Sequence, residues 1–283
     1  MKMPPLNAGD PEAILPELGR RLRTRCIIPY LGPGLAELSN PDVPMTPEAL
    51  ATFFAGKVAL PRRAKGNVWA AAQYIETSRH RSVLTRLMAQ AFASPSEPTP
   101  LHRHLAALSL PVIVDTWYDG ATCAALAKYE GWGEIQGVPR AGTGKDHWYR
   151  FYDAGGREVD WVAAQNWTTV LYKPHGAVTP ARNFLISDAD YVEVLTEIDI
   201  QTPIPLAVKE RRTGSSFLFI GCRFNDQLLR TFARQLLKRS GRVHYAILDL
   251  NSMTRNERKF LAEQNIVPLA IALPRAIEIL LCH

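Results

Sequence analysis

The chain has 283 residues, of which 47% are hydrophobic and 21% are charged, a balance that is typical of a globular protein with a sizeable core. No apolar stretch approaches the roughly 20 residues that a membrane-spanning helix requires, and the first five residues lack the apolar core of a signal peptide. We therefore expect one large domain, or one with a small insertion, located in the cytoplasm and without a membrane partner.

The four cysteines are far apart in sequence, and none belongs to the CxxC pairs that are typical of zinc and redox sites. His102 and His104 are two residues apart, whereas metal ligands on one face of a helix are separated by three or four. The sequence therefore predicts reduced thiols and no metal site.

Arginine clusters supply most of the formal net charge of +6. They lie at residues 20–25, 62–65, 79–81 and 209–212. A basic surface attracts phosphate-bearing partners, but the acidic residues between these clusters favour solvated helix ends. Nucleic-acid binding is therefore the weaker hypothesis, and the sequence leaves open whether the chain forms a homo-oligomer.

Short apolar runs that are rich in β-branched residues alternate with helical patterns. The runs span residues 26–31, 112–115, 168–172, 217–220, 243–248 and 266–270. This alternation predicts an α/β fold with a parallel sheet and helices on both faces. One of the helices is predicted over 225–238, where the leucines fall on one stripe.

Two stretches interrupt the alternation. Residues 47–108 are mostly helical in pattern and too long for an ordinary connection between two strands, so we predict a helical insertion. Residues 146–161 alternate aromatic and polar side chains around Gly155 and Gly156, which predicts a β-hairpin insertion. The whole chain, 1–283, is expected to form one domain.

Glycines follow the first and the fourth predicted strands, where the backbone could approach a phosphate closely. Gly32 and Gly34 follow the first, and Gly221 follows the fourth. A GxG pair alone is more often a tight turn, and Pro33 removes one N–H that could hold a phosphate. Arg223 could pair with a phosphate through a charge-assisted hydrogen bond.

Ionisable side chains follow the second and third predicted strands. Asp119 is a candidate pocket carboxylate, although it could instead cap the helix predicted over 121–129. His175 could act as a general base near neutral pH, although a lone loop histidine is usually a surface residue. Cys222 is a conceivable nucleophile with His175, but a thiol that ends an apolar strand is more often a small buried residue.

These segments, in this order and at these strand ends, resemble the sirtuin-like family, particularly its zinc-free bacterial branch. Residues 30–36 are similar to the family's glycine-rich NAD loop, and residues 101–119 are similar to its helix, strand and Thr-x-Asn-Tyr-Asp segment. Residues 173–176 are similar to its histidine-glycine motif, and residues 183–191 are similar to the strand and Asp-Tyr helix that follow this motif. Residues 221–226 are similar to its Gly-x-Ser-x-x-Asp turn. The resemblance spans about 26–270, nearly the whole chain.

The resemblance implies a Rossmann-like sheet that binds NAD or ADP-ribose across its crevice, with the helical insertion as one wall. It implies an activity that breaks the bond between nicotinamide and ribose. His175 would be the base or a ribose contact, and Asp119 would hold the carboxamide. The expected cofactor-binding residues are Gly32, Gly34, Leu35, Trp117, Gly221, Cys222, Arg223 and Asp249.

Three polar side chains that the family uses on NAD are replaced. Ala36 and Arg223 stand in place of serines, and Trp117 stands where the family has the asparagine that orients the ribose and the attacking water. An indole offers only one hydrogen-bond donor, which argues against catalysis.

The sequence leaves three alternative functions: an active NAD glycohydrolase, a non-catalytic NAD or ADP-ribose sensor or adaptor, and a protein or nucleic-acid interaction module with a vestigial pocket. Lysine deacylation ranks lower, since the zinc ribbon of that branch is missing.

Overall fold

The computed structural model describes residues 10–38, 43–44, 46–139, 148–198, 204–241 and 243–282. The strands in this part of the chain are β1 (Ile27–Leu31), β2 (Val112–Asp115), β3 (Trp132–Gly137), β4 (Tyr149–Asp153), β5 (Glu158–Val159), β6 (Thr169–Lys173), β7 (Gly176–Ala177), β8 (Asn183–Phe184), β9 (Ser216–Ile220), β10 (His244–Ile247) and β11 (Ile266–Leu269). The α-helices are α1 (Pro11–Arg23), α2 (Pro47–Lys57), α3 (Val68–Arg79), α4 (Arg81–Ala91), α5 (Pro100–Ala107), α6 (Ala121–Leu126), α7 (Trp161–Gln165), α8 (Asp188–Ile198), α9 (Leu206–Arg212), α10 (Gln227–Leu237), α11 (Arg255–Glu263) and α12 (Leu273–Cys282).

Within the described residues, nine of the strands form one sheet in the order β11-β10-β9-β1-β2-β6-β3-β4-β5, and β7 and β8 form a separate antiparallel pair. β4 runs antiparallel to both of its neighbours, and the other pairings in the large sheet are parallel. The predicted α/β fold class with a Rossmann-like parallel sheet is confirmed. Each of the six predicted strands is present, and its ends differ from the prediction by no more than one residue.

Both faces of the sheet are covered by helices, and β1 shows how alternate residues serve the two layers. Ile28 and Tyr30 pack in a core with residues of α9, α10 and α11. Ile27 and Leu31 pack in a second core with residues of α1, α5, α6 and α12. All five residues of β1 are buried, which explains its continuous apolar sequence.

Helices α2 to α5 occupy the stretch predicted as a helical insertion. Leu50 of α2, Ile75 of α3 and Leu84 of α4 share a third core, which also includes Phe184 of β8. α5 instead packs beside α6 on the large sheet, through Leu101 and Leu105. The helices that stand apart from the sheet are therefore α2 to α4.

Residues 146 and 147 of the stretch predicted as a β-hairpin lie outside the described residues. The rest contains β4 and β5, which pair in antiparallel fashion around a turn at Gly155 and Gly156. Gly156 has a φ of +76°, a backbone conformation that favours glycine. Because β4 also pairs with β3, these two strands extend the edge of the large sheet.

No helix in the described ranges combines the length and the apolar character that crossing a membrane would require.

Candidate functional site

The predicted site segments lie close together at the carboxyl ends of the strands, because they follow parallel strands that are neighbours in the sheet. β9, β1, β2 and β6 are adjacent, and Leu31 pairs with Ile220 on one side and with Asp115 on the other. From β1 the chain continues to β2 on one side, and it later enters β9 on the opposite side. In open α/β sheets, a reversal of this kind creates a crevice outside the carboxyl ends of the strands, where ligands bind.

The two glycine turns at this crevice are in direct backbone contact. The N–H of Gly32 donates to the carbonyl of Ile220 over 2.9 Å, and the N–H of Gly34 donates to the carbonyl of Gly221 over 3.0 Å. A Cβ atom at Gly32 would lie 2.4 Å from the carbonyl oxygen of Gly221, so no larger residue fits there without a shift. The glycines therefore allow the turns to touch, and their role toward a phosphate stays a prediction.

Gly221 itself has a φ of +68°, and a Cβ there would lie 2.9 Å from the backbone nitrogen of Leu35. The next residue, Cys222, is buried, and its Sγ lies 3.4 Å from the carbonyl oxygen of Tyr30. Burial raises the pKa of the Cys222 thiol far above its usual range, which keeps it protonated. This environment matches a small buried residue better than a nucleophile.

A small cavity lies beside the glycine turns. It is lined by Leu31, Gly32, Leu35, His102, Asp115, Trp117 and Asp119. Its volume of about 10 Å³ is enough for about one water molecule. In this conformation the cavity has no space for a nucleotide.

Asp119 is an acidic side chain of this cavity whose pKa is shifted by its surroundings. It is 8% exposed. Burial and the nearby charge of Asp115 raise the pKa of Asp119 to about 6, despite the opposing charge of Lys173. Helix α6 has Gly120 as its N-cap and no side-chain cap, so the alternative in which Asp119 caps this helix is wrong. Asp119 is therefore a cavity residue, and the nearby backbone N–H of Ala121 only partly opposes the rise of its pKa.

Trp117 closes one side of the cavity. Only 6% of this residue is exposed, and its indole Nε1 donates to the carbonyl of Pro44 over 3.1 Å. The ring centroids of Phe92 and Tyr118 lie 6.0 and 5.2 Å from that of Trp117. Phe92 directly follows α4, so the helices that stand apart from the sheet contribute to this wall.

A buried ion pair fixes the segment that carries Trp117 and Asp119. The Nζ of Lys173 lies 2.8 Å from Oδ2 of Asp115 and donates to the carbonyl of Asp119 over 3.0 Å. Oδ1 of Asp115 accepts from the backbone N–H of Trp117, and Oδ2 also accepts from Thr122. Burial acts to lower the pKa of Lys173, but the charge of Asp115 outweighs burial and raises this pKa, so the ammonium stays charged.

Further buried polar groups come from β3 and α5, and none of them was predicted to be a site residue. Glu134 accepts hydrogen bonds from Gln136 at 2.8 Å and from Cys123 at 3.3 Å, and burial raises its pKa. His102 lines the cavity, and its Nδ1 lies 2.8 Å from Oγ1 of Thr99. Burial lowers the pKa of His102 to about 4, so it is neutral at pH 7. Little in the sequence points to either residue, because Glu134 lies among glycines and polar residues that resemble a loop and His102 lies in a helix.

His175 follows β6 at the same edge of the sheet, but its imidazole is enclosed. Its Nδ1 lies 3.2 Å from the hydroxyl of Tyr191, and the ring of Phe232 lies 4.7 Å away between centroids. Its Nε2 is buried and has no hydrogen-bond partner among the described residues. Burial lowers the pKa of His175 to about 3, so the ring is neutral and a weak base in this conformation.

Arg223 and Asp249 have their own partners near the start of α11. The Nε of Arg223 lies 3.0 Å from Oε1 of Glu257, and a second nitrogen donates to the carbonyl of Ser252 over 3.0 Å. The exposed Asp249 accepts from the backbone N–H of Asn251 over 3.0 Å. A phosphate at Arg223 would have to compete with Glu257, so this contact remains a prediction.

The structure thus brings Gly32, Leu35, Trp117 and Asp119 together around one cavity and encloses His175 nearby at the same edge. Within the described ranges, no three His, Cys, Asp or Glu side chains are arranged to hold a metal ion.

A comparison with models of protein families agrees with this architecture. A search of curated proteins found no match to the chain. A family model described as a SIR2-like domain matches residues 111–269, which extends from the start of β2 to the end of β11. This match covers the Asp119, His175 and Gly221 segments, and the glycine turn after β1 precedes it. Because more than half of the chain is matched, the chain belongs to the SIR2-like, or sirtuin-like, family.

Proposed function

We propose that the chain binds ADP-ribose, alone or as part of NAD, in the crevice between the turns that follow β1 and β9, and that it does not hydrolyse NAD by a reaction that depends on His175. The observation that carries the proposal is the contact between two glycine turns, beside Asp119, at the point where the strand order of a SIR2-like domain reverses. Such a point is the usual nucleotide site of an open α/β sheet.

The residues around the crevice supply suitable chemistry for a nucleotide. The Asp119 carboxylate, mostly ionised at pH 7, could accept hydrogen bonds from a ribose hydroxyl or a carboxamide N–H. Leu35 supplies apolar surface. The ion pair of Lys173 and Asp115 would hold Asp119 in place, because it fixes the loop on both sides of Trp117.

Two features argue against efficient hydrolysis. Trp117 offers no group that could orient a water molecule once its single N–H is bonded to Pro44. A general base must reach the proton that it removes, whereas His175 is enclosed by Tyr191 and Phe232 and has a strongly lowered pKa. Binding without rapid turnover is therefore the function that these side chains support best.

Nucleotide binding requires the crevice to open, because ligand pockets have volumes of roughly 300–1,000 Å³. We infer that Trp117 moves when the ligand enters. The indole of Trp117 is held by one hydrogen bond to Pro44, whereas the glycine turns are joined by two backbone hydrogen bonds. The phosphates and ribose would then lie beside the turns, and Trp117 would compete with the nicotinamide end of NAD.

Calorimetric titration with ADP-ribose and with NAD tests the proposal. We expect the parent protein to bind ADP-ribose at least as tightly as NAD, because Trp117 opposes the nicotinamide. Trp117→Asn should strengthen NAD binding relative to ADP-ribose by about tenfold, the equivalent of about 1.4 kcal/mol. Trp161→Ala, which changes an exposed tryptophan outside the crevice, is the matched control and should behave like the parent. Absence of heat with both ligands, in the parent and in Trp117→Asn, would overturn the proposal.

A further inference from the structure

A second concave surface lies against β4, the strand next to the edge strand β5, and has no residue in common with the crevice. It has a volume of about 720 Å³, within the range of small-molecule sites. It is lined by Tyr149 and Phe151 of β4, Trp161 and Gln165 of α7, and Leu206, Ala207, Glu210 and Arg211 of α9. We call it the α7–α9 groove.

Aromatic side chains form much of the α7–α9 groove. Tyr149 and Phe151 are two residues apart on β4 and so face the same side, with ring centroids 5.6 Å apart and planes at 87°. Trp161 and Leu206 flank them, and each is 56% exposed. Large apolar side chains that remain exposed around a concavity are a feature of ligand-binding surfaces.

Arg211 places a fixed positive charge in the α7–α9 groove. Its guanidinium donates to the carbonyl oxygens of Ala207 at 3.0 Å, Ala164 at 3.2 Å and Trp167 at 2.8 Å. These acceptors are neutral, and none of the ion pairs among the described residues includes Arg211. Burial lowers the pKa of Arg211, and the nearby charge of Glu210 offsets this effect only in part.

We propose that the α7–α9 groove binds a small aromatic monocarboxylate, with its ring against Tyr149, Phe151 and Trp161 and its carboxylate toward Arg211. The guanidinium of Arg211, which has no ion pair among the described residues, would select an anion, because a hydrogen bond between two charged groups is stronger than one between neutral groups. Glu210 also lines the groove, and its negative charge would repel a dianion more strongly than a monoanion. A singly charged carboxylate therefore fits better than a doubly charged phosphate.

The test is a calorimetric titration of the whole chain with 2-naphthoate, 2-naphthamide and 2-naphthyl phosphate, which share one ring system. We expect 2-naphthoate to bind about tenfold more tightly than the neutral amide, and more tightly than the phosphate. Trp161→Ala should weaken 2-naphthoate binding about fivefold, through the lost aromatic contact. Val162→Ala is the matched control, since Val162 is the next residue, is 46% exposed and does not line the groove.

Absence of saturable binding, or equal affinity for the amide and the carboxylate, would overturn the proposal. Tighter binding of the phosphate would also overturn it, because a different anion would then be preferred. An equal loss in Val162→Ala and Trp161→Ala would show that the probe binds outside the α7–α9 groove.

Arg211→Gln should remove the preference for the carboxylate. If that variant does not fold, the comparison of 2-naphthoate with 2-naphthamide on the parent tests the same point. ADP-ribose binding should be unchanged in Trp161→Ala, which separates this site from the crevice.

Discussion

Asp115, Asp119 and Glu134 place three carboxyl groups near the buried ammonium of Lys173. Asp115 takes the direct ion pair, and its charge is balanced by Lys173. Asp119 meets the ammonium only through its backbone carbonyl, so its own carboxylate is left in a buried and negatively charged environment. The free energy of ionising Asp119 is therefore higher in the folded chain than in the unfolded chain.

This difference predicts a stability effect with a defined sign. Because the folded pKa of Asp119 is raised from 3.8 to about 6, the folded chain retains a proton that the unfolded chain has already released. Stability therefore falls as the pH rises from about 4 to about 6, and the loss persists above that window. Asp119→Asn cannot ionise, so its free energy of unfolding should rise relative to the parent by about 2 kcal/mol between pH 4 and pH 7.

Urea denaturation of both proteins at the two pH values measures this change, and other titrating groups cancel in the comparison. A difference between parent and variant that is the same at both pH values would mean that the Asp119 pKa is close to its ordinary value.

At the scale of elements, the apolar strands were predictable and β3 was not. β1, β2, β6 and β9 contain continuous apolar runs because helices cover both faces of the sheet. β3 reads Trp-Gly-Glu-Ile-Gln-Gly, and its glycines and polar residues resemble a loop. The reasons lie elsewhere in the chain: the ring of Trp167 occupies the space that a side chain at Gly133 would need, and Glu134 and Gln136 bond to each other in the interior.

The contact between the two glycine turns yields a prediction at the same scale. In Gly32→Ala the new methyl group would meet the Gly221 carbonyl at 2.4 Å and the Cys222 backbone at 2.7 Å, so the turns must separate. We expect this change to lower the free energy of unfolding by about 1–3 kcal/mol. Gly56→Ala in α2 is the matched control, because nothing lies within 4 Å of the added atom.

The control should be neutral or stabilising by up to about 1 kcal/mol, as is usual when alanine replaces glycine in a helix. Thermal and urea unfolding of the two variants measure both changes. If Gly32→Ala were as stable as Gly56→Ala, the close packing of the turns would be wrong.

At the scale of the whole molecule, the position of the crevice followed from the order of the sequence segments, since parallel strands carry their following turns to the same edge. The contact partners of the side chains in the crevice could not be predicted in this way. Trp117 bonds to Pro44, Arg223 pairs with Glu257, and His175 packs on Phe232. Each contact joins segments that are distant along the chain, and no local pattern records such partners.

These long-range contacts are the basis for proposing that the crevice binds a nucleotide without rapid reaction. His175 is enclosed in an apolar environment, and Trp117 stands where the family resemblance predicts a water-orienting asparagine, so both support the proposal of binding without turnover. The α7–α9 groove, at another edge of the sheet, would supply a second and separate ligand site.

The most direct measurement of the central claim is nicotinamide release, followed by chromatography during long incubation of the purified chain with saturating NAD. His175→Ala serves as the matched variant, after its folding has been checked by circular dichroism. The account predicts that the parent releases nicotinamide no faster than His175→Ala, although calorimetry detects bound ADP-ribose. Steady release from the parent that is lost in His175→Ala would contradict it and would establish an active NAD hydrolase.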